Sequence, residues 1–321
     1  MDSHAPLGPL LAGSSPPARA LEALVRKAAL SPAPAVVVGE GGCGKSAVAA
    51  ALHRLGPRAQ GPLVATSLAA LAPTLIEAEL FGHEEGAFTG AGRARLGRFR
   101  QAHGGTLVLE DLDHLPLELQ GKLLRVLQEG EVEPVGAERP VKVDVRVVAT
   151  SARDLRASVA AGLLRSDLYW RVAVLEIALP PLRARSEDIV PLAEALIASA
   201  GSRRTLAPQA AERLVAHPWP GNVRELENAI QRVLALGGDE GRPIEAAELD
   251  FLAAEVAGRA EELAQRALAL GITADALEDA LITAALREQR GNIAAAARQV
   301  GLSRRALEYR IARRKDGATE R

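Results

Sequence analysis

The run VVVGEGGCGKS, Val36 to Ser46, constrains this chain more than any other stretch. Three β-branched aliphatics lead into the pattern G-x-x-x-x-G-K-[ST], and the residues that follow, AVAAALHRL, read as a helix. A strand that feeds a glycine-rich turn and then a helix leaves backbone N–H groups pointing into the turn, with the helix N-terminus behind them. Such a concavity takes phosphate oxygens. Gly39, Glu40, Gly41, Gly42, Cys43 and Gly44 form the loop, Lys45 reaches the terminal phosphates, the Ser46 hydroxyl can ligand Mg2+, and Ala47 continues the first helical turn. ATP with Mg2+ is the expected cofactor pair. Cys43 reads as a small residue tolerated in the loop rather than as a redox handle.

The surrounding text repeats the strand–helix alternation. The aliphatic runs PAVVVG, PLVAT, TLVLED, DVRVVAT and VAVLEI are separated by helical stretches such as LELQGKLLRVLQEG. This is the pattern of a parallel sheet with crossover helices, an α/β class built on a phosphate loop. That core is expected over residues 17–177, after a flexible lead-in at 1–16 that leaves no room for a sensory domain. An all-helical subdomain follows at 178–236, then a linker at 237–271, then a basic helical region at 272–321. The chain has 321 residues, 48% of them hydrophobic, enough for more than one core. One cysteine excludes an internal disulfide, and no apolar run approaches the roughly 20 residues that span a bilayer. The expected setting is cytoplasmic, with no membrane partner.

The strand GTLVLED ends in two acids, Glu110 and Asp111. Beside a phosphate loop, one carboxylate serves Mg2+ and another polarises the attacking water. With these residues in place, the chain resembles the AAA+ family of sigma-54-dependent bacterial transcription activators, the enhancer-binding proteins, over residues 17 to 315. The most specific element is ELFGHEEGAFTGA. Its Gly86, Ala87, Phe88, Thr89, Gly90 and Ala91 resemble the family's surface loop that engages the sigma-54 RNA polymerase holoenzyme. Glycines at both ends free the tip to rearrange, and Phe88 and Thr89 offer an apolar and a hydrogen-bonding contact.

The resemblance implies further roles in chain order. LLRSDLYWR resembles the arginine-finger segment, which puts Arg165 and Arg171 on a neighbouring subunit's γ-phosphate and implies a ring of identical subunits, a hexamer. LPPLRARSEDI and HPWPGNVRELENAI resemble parts of the lid, with Arg224 as its sensor arginine. From Leu277 onward the text resembles a Fis-type helix-turn-helix: NIAAAARQVGLS supplies a small-residue first helix, Gly301 a turn and Ser303 an N-cap for the second helix. Between Arg287 and Lys315 stand nine basic residues against two acidic ones, a local +7 in a chain of net charge −1. That concentration is an electrostatic footprint for double-stranded DNA, an enhancer-like site in this family. Arg304 and Arg305 open the presumed recognition helix, with Tyr309, Arg310 and Arg313 further along it.

Three positions depart from the family pattern. The acid pair is inverted, Glu110-Asp111 for Asp-Glu; Ser67 stands where the family has Asn; and Ala152 replaces a polar first sensor. All three shorten or remove polar reach near the γ-phosphate, so nucleotide binding follows more directly than rapid hydrolysis. Two other readings fit the same residues. One is a DNA-binding regulator that uses ATP mainly as an assembly ligand. The other is an AAA+ remodeller of a substrate outside transcription.

Overall fold

The computed structural model describes residues 13–87, 93–237, 241–289 and 291–317, with side chains at 255–257 and 313–317 outside the description. Internal contacts divide the chain into two units, one up to Asp250 and one from Phe251.

The first unit is built on five parallel strands: β1 (Ala35–Val38), β2 (Leu63–Ser67), β3 (Thr106–Glu110), β4 (Arg146–Ser151) and β5 (Leu175–Ala178). Their order is β2-β3-β4-β1-β5, so all five expected strands join one α/β sheet. Alternate residues enter opposite cores. Val36, Leu107, Leu109, Val147 and Ala149 pack on one face, while Ala35, Val37, Val108, Val148 and Ile177 pack on the other. Burial on both faces is why these strands read as unbroken aliphatic runs. Helices α1 (Pro16–Ala29) and α2 (Lys45–Arg54) cover the second face. Helices α3 (Pro73–Phe81), α4 (Leu117–Glu129) and α5 (Ser166–Val172) contribute to the first. There Phe81 and Phe99 stack with centroids 5.8 Å apart, two of the chain's four phenylalanines, and Tyr169 joins them in a core that is mostly aliphatic.

Two buried charges fix the ends of this unit. Arg146, 3% exposed, opens β4 and sends its guanidinium beneath the sheet. It donates to the carbonyls of Ala28 (2.8 Å), Ala29 (3.0 Å) and Leu52 (3.3 Å) at the C-terminal ends of α1 and α2, where Ala28 O also accepts from Ser31 N at 3.2 Å. Asp188 is fully buried and accepts from Ser14 N, Ser15 N and Ser15 Oγ at 2.9, 2.8 and 2.6 Å. Ser15 in turn caps α1 through Ala18 N. The lead-in expected to run to residue 16 is thus tied down from Ser14 onward, because a buried carboxylate needs those donors.

The helical subdomain contains α6 (Ile189–Ser199), α7 (Pro208–Ala216) and α8 (Asn222–Leu236). Trp219 is fully buried, donates Nε1–H to Leu214 O at 2.7 Å and meets the His217 ring edge-on, a packing role. The subdomain does not stop at 236. Ile244 N donates to Thr205 O at 2.7 Å, Ala207 N donates to Ile244 O at 3.0 Å, and Arg204 Nη2 lies between the two oxygens of Glu248 at 2.8 and 2.9 Å. Residues 244–249 therefore fold onto the lid helices rather than opening a linker. The remainder of the expected linker is mostly helix, Asp250–Ala269.

In the second unit, α10 (Ala274–Glu288), α11 (Ile293–Gln299) and α12 (Arg304–Gly317) follow that helix, α9. Ile282, Ala285, Ala296, Ala297 and Leu307 form their small core. Gly301 takes φ +70°, and the Ser303 hydroxyl accepts from Ala306 N at 3.1 Å, as a turn glycine and an N-cap should. Among the described residues, no helix is long and apolar enough to cross a membrane.

Replacing Arg146 with Met removes the guanidinium donor from the Ala29 and Leu52 carbonyls and one of the two donors from Ala28 O. We expect a loss of about 3 kcal/mol in urea-unfolding free energy, with nucleotide affinity little changed because the guanidinium lies at the opposite end of β4 from the phosphate loop.

Candidate active site

The strand order places β1 beside β4 and the acid-bearing β3 next to it, so their C-terminal ends meet at one edge of the sheet. There a cavity of about 250 Å³ opens between the glycine loop and the lid. Of the predicted loop residues, Gly41, Gly42, Gly44, Lys45, Ser46 and Ala47 line it. Gly42 and Gly44 take φ of +77° and +102°, values that favour glycine. Lys45 Nζ donates to Gly39 O at 2.8 Å and Glu40 O at 3.0 Å, which holds the ammonium across the loop.

Two loop residues turn away from the cavity. Glu40 faces the lid: Arg183 forks onto its two oxygens at 2.6 and 2.8 Å, and Asn222 Nδ2 donates to it at 3.1 Å. The hydrogen bond from Arg183 lowers its pKa, so the carboxylate stays charged as a lid contact instead of meeting phosphate. Cys43 is 1% exposed and packs among the α1 and α2 side chains. Burial raises its thiol pKa, and the nearby Glu40 carboxylate adds to that, so it is a core residue. Gly39 contributes its carbonyl to Lys45 rather than a wall to the cavity.

The two acids occupy different surroundings. Ser46 Oγ donates to Glu110 Oε1 across the cavity mouth. Asp111 follows with left-handed backbone (φ 59°, ψ 53°), its N–H donating to Thr150 Oγ1 at 3.2 Å. Its Oδ2 accepts from Ser67 Oγ, also at 3.2 Å. Ser67 reaches this partner because it sits in register with Glu110 on the neighbouring strand. Glu110, Asp111, Thr150 and Ala152 all line the cavity.

The lid closes the other side. Val223 N and Arg224 N donate to Gly42 O at 3.0 and 3.3 Å. Asn222, buried at φ +56°, donates to Gly41 O at 3.0 Å and accepts from Leu182 N at 2.8 Å. A Cβ on Gly42 would lie 2.2 Å from Gly221 O, so this approach requires glycine. Arg224 and Glu227 line the cavity from α8. Sequence reasoning missed Thr150, Arg183, Asn222 and Glu227. Glu227 alone carried a signal, lying three residues after Arg224 on one helix face.

Arg165 and Arg171 lie outside this lining. Arg165 pairs with Asp167 through two nitrogens at 2.8 and 3.1 Å, and Arg171 donates twice to Leu127 O, at 2.8 and 3.0 Å. Between them Trp170 is 70% exposed. Of the predicted polymerase loop, Gly86 and Ala87 are described, and Phe88, Thr89, Gly90 and Ala91 lie outside the described residues. The chain enters and leaves that segment through an antiparallel pair, Gly82–His83 with Arg95–Leu96. A Cβ on Gly97 would lie 2.3 Å from Gly82 N, so the two flanks touch backbone to backbone.

On α12, Arg304 is exposed but engages Glu308 at 2.8 Å, and Tyr309 is 68% exposed. Arg305 is exposed. Arg310 pairs with Glu278 on α10, so part of its charge holds the helices together. The side chain of Arg313 lies outside the description.

Family models match in the same order: Sigma-54 interaction domain over residues 11–178, AAA+ ATPase lid domain over 183–266, and Bacterial regulatory protein, Fis family, over 273–313. The response regulator protein FleR of Pseudomonas aeruginosa is 42% identical over 334 residues, covering 95% of this chain and 70% of FleR. The Nif-specific regulatory protein of Azotobacter vinelandii is 41% identical, covering 94% of this chain and 58% of that protein. The chain thus spans 58% and 70% of the length of these two relatives. Crystalline NtrX from Brucella abortus in complex with ADP superposes with a TM-score of 0.69 at 33% identity, covering 94% of this chain and 69% of NtrX. The phosphate loop, the acid pair, the lid and the helix-turn-helix lie within these three matched segments, and the chain belongs to the AAA+ family of sigma-54-dependent transcription activators.

Proposed function

We propose that this protein hydrolyses ATP to remodel the sigma-54 RNA polymerase holoenzyme from an upstream DNA site. The observation that carries the reading is that each acid at the end of β3 has its own hydroxyl partner, Glu110 with Ser46 and Asp111 with Ser67. Two hard oxygen donors that meet at the mouth of a phosphate loop suit Mg2+. Ser46 and Glu110 would hold the ion, which when bound neutralises charge on the β- and γ-phosphate oxygens. Lys45 and the loop N–H groups bind the phosphates, Arg224 meets them from the lid, and Asp111, aimed by Ser67, accepts the proton of the attacking water.

Arg165 and Arg171 act on a neighbour's nucleotide in a homo-oligomeric ring, a hexamer. Their position outside their own cavity supports this, as does the exposed Trp170 between them, which a neighbouring subunit would cover. Phe88 and Thr89 engage the polymerase, in a segment whose flanks pair at Gly82–His83 and Arg95–Leu96. Arg304 and Arg305, at the start of α12, reach major-groove edges, while Arg310 and Arg313 contribute positive charge toward phosphate. A second reading, ATP as an assembly ligand with little turnover, is favoured by Ala152, which brings a methyl group to the cavity wall.

The direct test is promoter opening by the purified protein with sigma-54 polymerase. ATP should support opening and a non-hydrolysable analogue should not; equal opening with both would overturn the reading. Phe88→Ala and Thr89→Ala should keep nucleotide binding and assembly yet lose opening.

Turnover should be slow, because Asp111 is one methylene shorter than Glu and a misplacement of about 1 Å can cost on the order of 100-fold. The double exchange Glu110→Asp with Asp111→Glu should therefore raise kcat, and Ser67→Asn should raise it further. A wild type faster than the exchanged variant would show that the two serines compensate the inversion.

Mixing tests the ring. Subunits carrying Arg165→Ala and subunits carrying Lys45→Ala should each be inactive alone and recover part of the turnover when combined, since each mixed interface can unite an intact loop with an intact arginine. Mixed rings without recovery would exclude arginines acting in trans.

A further inference from the structure

Behind the cavity wall, the turn after β3 is joined to the end of β4 by a carboxylate that plays no part in the site described so far. Asp113 sits in the short 3-10 turn Leu112–His114 that follows Asp111, and its side chain is 4% exposed. Ser151 Oγ lies 3.1 Å from Asp113 Oδ1 and 3.0 Å from Arg153 O, so its single hydroxyl hydrogen is shared between these two acceptors. Arg153 Nε lies 3.4 Å from the other oxygen, and His114 Nδ1 lies 3.7 Å from it. Ser151 is fully buried. Its neighbours Thr150 and Ala152 line the cavity and Ser151 does not, as alternation along a strand requires.

The strand end therefore has a front and a back. On the front, Thr150 Oγ1 accepts the N–H of Asp111, and Ala152 brings only a methyl group. On the back, the Ser151 hydroxyl reaches Asp113, and the same oxygen accepts from Arg153 N at 3.1 Å. A carboxylate withdrawn from water is costly unless hydrogen-bonded and paired, so Asp113, Ser151 and Arg153 favour one mutual arrangement. That arrangement fixes the spacing between the β3 turn, which carries Asp111, and the β4 end, which carries Thr150.

We propose that Asp113 is a positioning residue for ATP hydrolysis: by holding Ser151 from behind, it sets the register of Thr150 against Asp111 and so aims the Asp111 carboxylate. The proposal rests on the ATPase reading above. Asp113 touches no nucleotide-lining position itself, so its loss should fall on the chemical step and spare nucleotide binding.

The test uses the full chain, with steady-state ATP turnover, binding of a fluorescent non-hydrolysable ATP analogue, and melting temperature measured on the same preparations. Asp113→Ala and Ser151→Ala should each lower kcat by about tenfold, part of the loss that a displacement of about 1 Å brings, with KM for ATP and analogue Kd within about threefold. Asp113→Asn should return kcat to at least about a third of wild type, because its Oδ1 still accepts from Ser151. A kcat for Asp113→Ala within about twofold of wild type would overturn the proposal. So would a joint loss of kcat, analogue affinity and melting temperature that Asn does not rescue, which would make Asp113 merely structural. A wild type without turnover would overturn the ATPase reading, and this assignment with it.

Discussion

The backbone of Gly42 is the constraint on which the site depends. Its left-handed φ of +77° turns the loop, its carbonyl receives the Val223 and Arg224 N–H groups from the first turn of α8, and a Cβ at this position would collide with Gly221 O. One residue thus serves the phosphate loop and the lid together. Asn222 completes the joint by spending its amide on Gly41, Glu40 and Leu182 at once. The contact is polar and directional, so the lid can sit against the loop in few ways, and a change in the loop's shape has to reach α8. Glu40 belongs to this joint. Held charged by Arg183, it adds an ion pair between loop and lid at a place where a carboxylate facing phosphate would only repel it.

Across the cavity the acids are arranged by strand register rather than by their own order in the chain. Ser67 pairs with Glu110 along the sheet, yet its hydroxyl bonds Asp111, because the left-handed backbone at Asp111 turns that side chain back toward β2. Glu110, longer by one methylene, reaches forward to Ser46. The order Glu110-Asp111 therefore leaves two separate carboxylates with two separate partners, and the difference in length falls on how far each extends.

Much of this was legible in the sequence. The five aliphatic runs became the five strands because the central strands of a parallel sheet are buried on both faces and so draw on aliphatic residues along most of their length. The loop glycines, Ser303 and Gly301 were readable because their roles depend on local backbone geometry. What escaped were side chains whose partners lie far along the chain. Glu40 meets Arg183 and Asn222, 143 and 182 residues away, and nothing local distinguishes it from a phosphate-facing residue. Cys43 follows the loop's pattern but points into the α1–α2 core. The sequence placed a linker from residue 237, whereas Arg204 meets Glu248 beyond that boundary. Asp113 follows a more conspicuous acid pair, and only the fold shows that its partner is on β4.

The second unit shows the same limit in its electrostatics. A count of charges makes residues 287–315 strongly basic, and a sum over sequence treats every arginine as available to phosphate. The structure divides them. Arg310 is committed to Glu278 on another helix, and Arg304 shares its charge with Glu308 one turn on. An arginine that must leave an internal partner to meet DNA exchanges one ion pair for another, so its gain is smaller than that of a free guanidinium, and the counterions it releases are fewer than its formal charge implies. Arg305 bears no such ion pair among the described contacts, and it stands exposed in the first turn of α12. On the proposed reading as a DNA-binding unit, its phosphate attraction would thus be weaker than the charge count suggests, and sequence preference would lean correspondingly on the first turn of that helix.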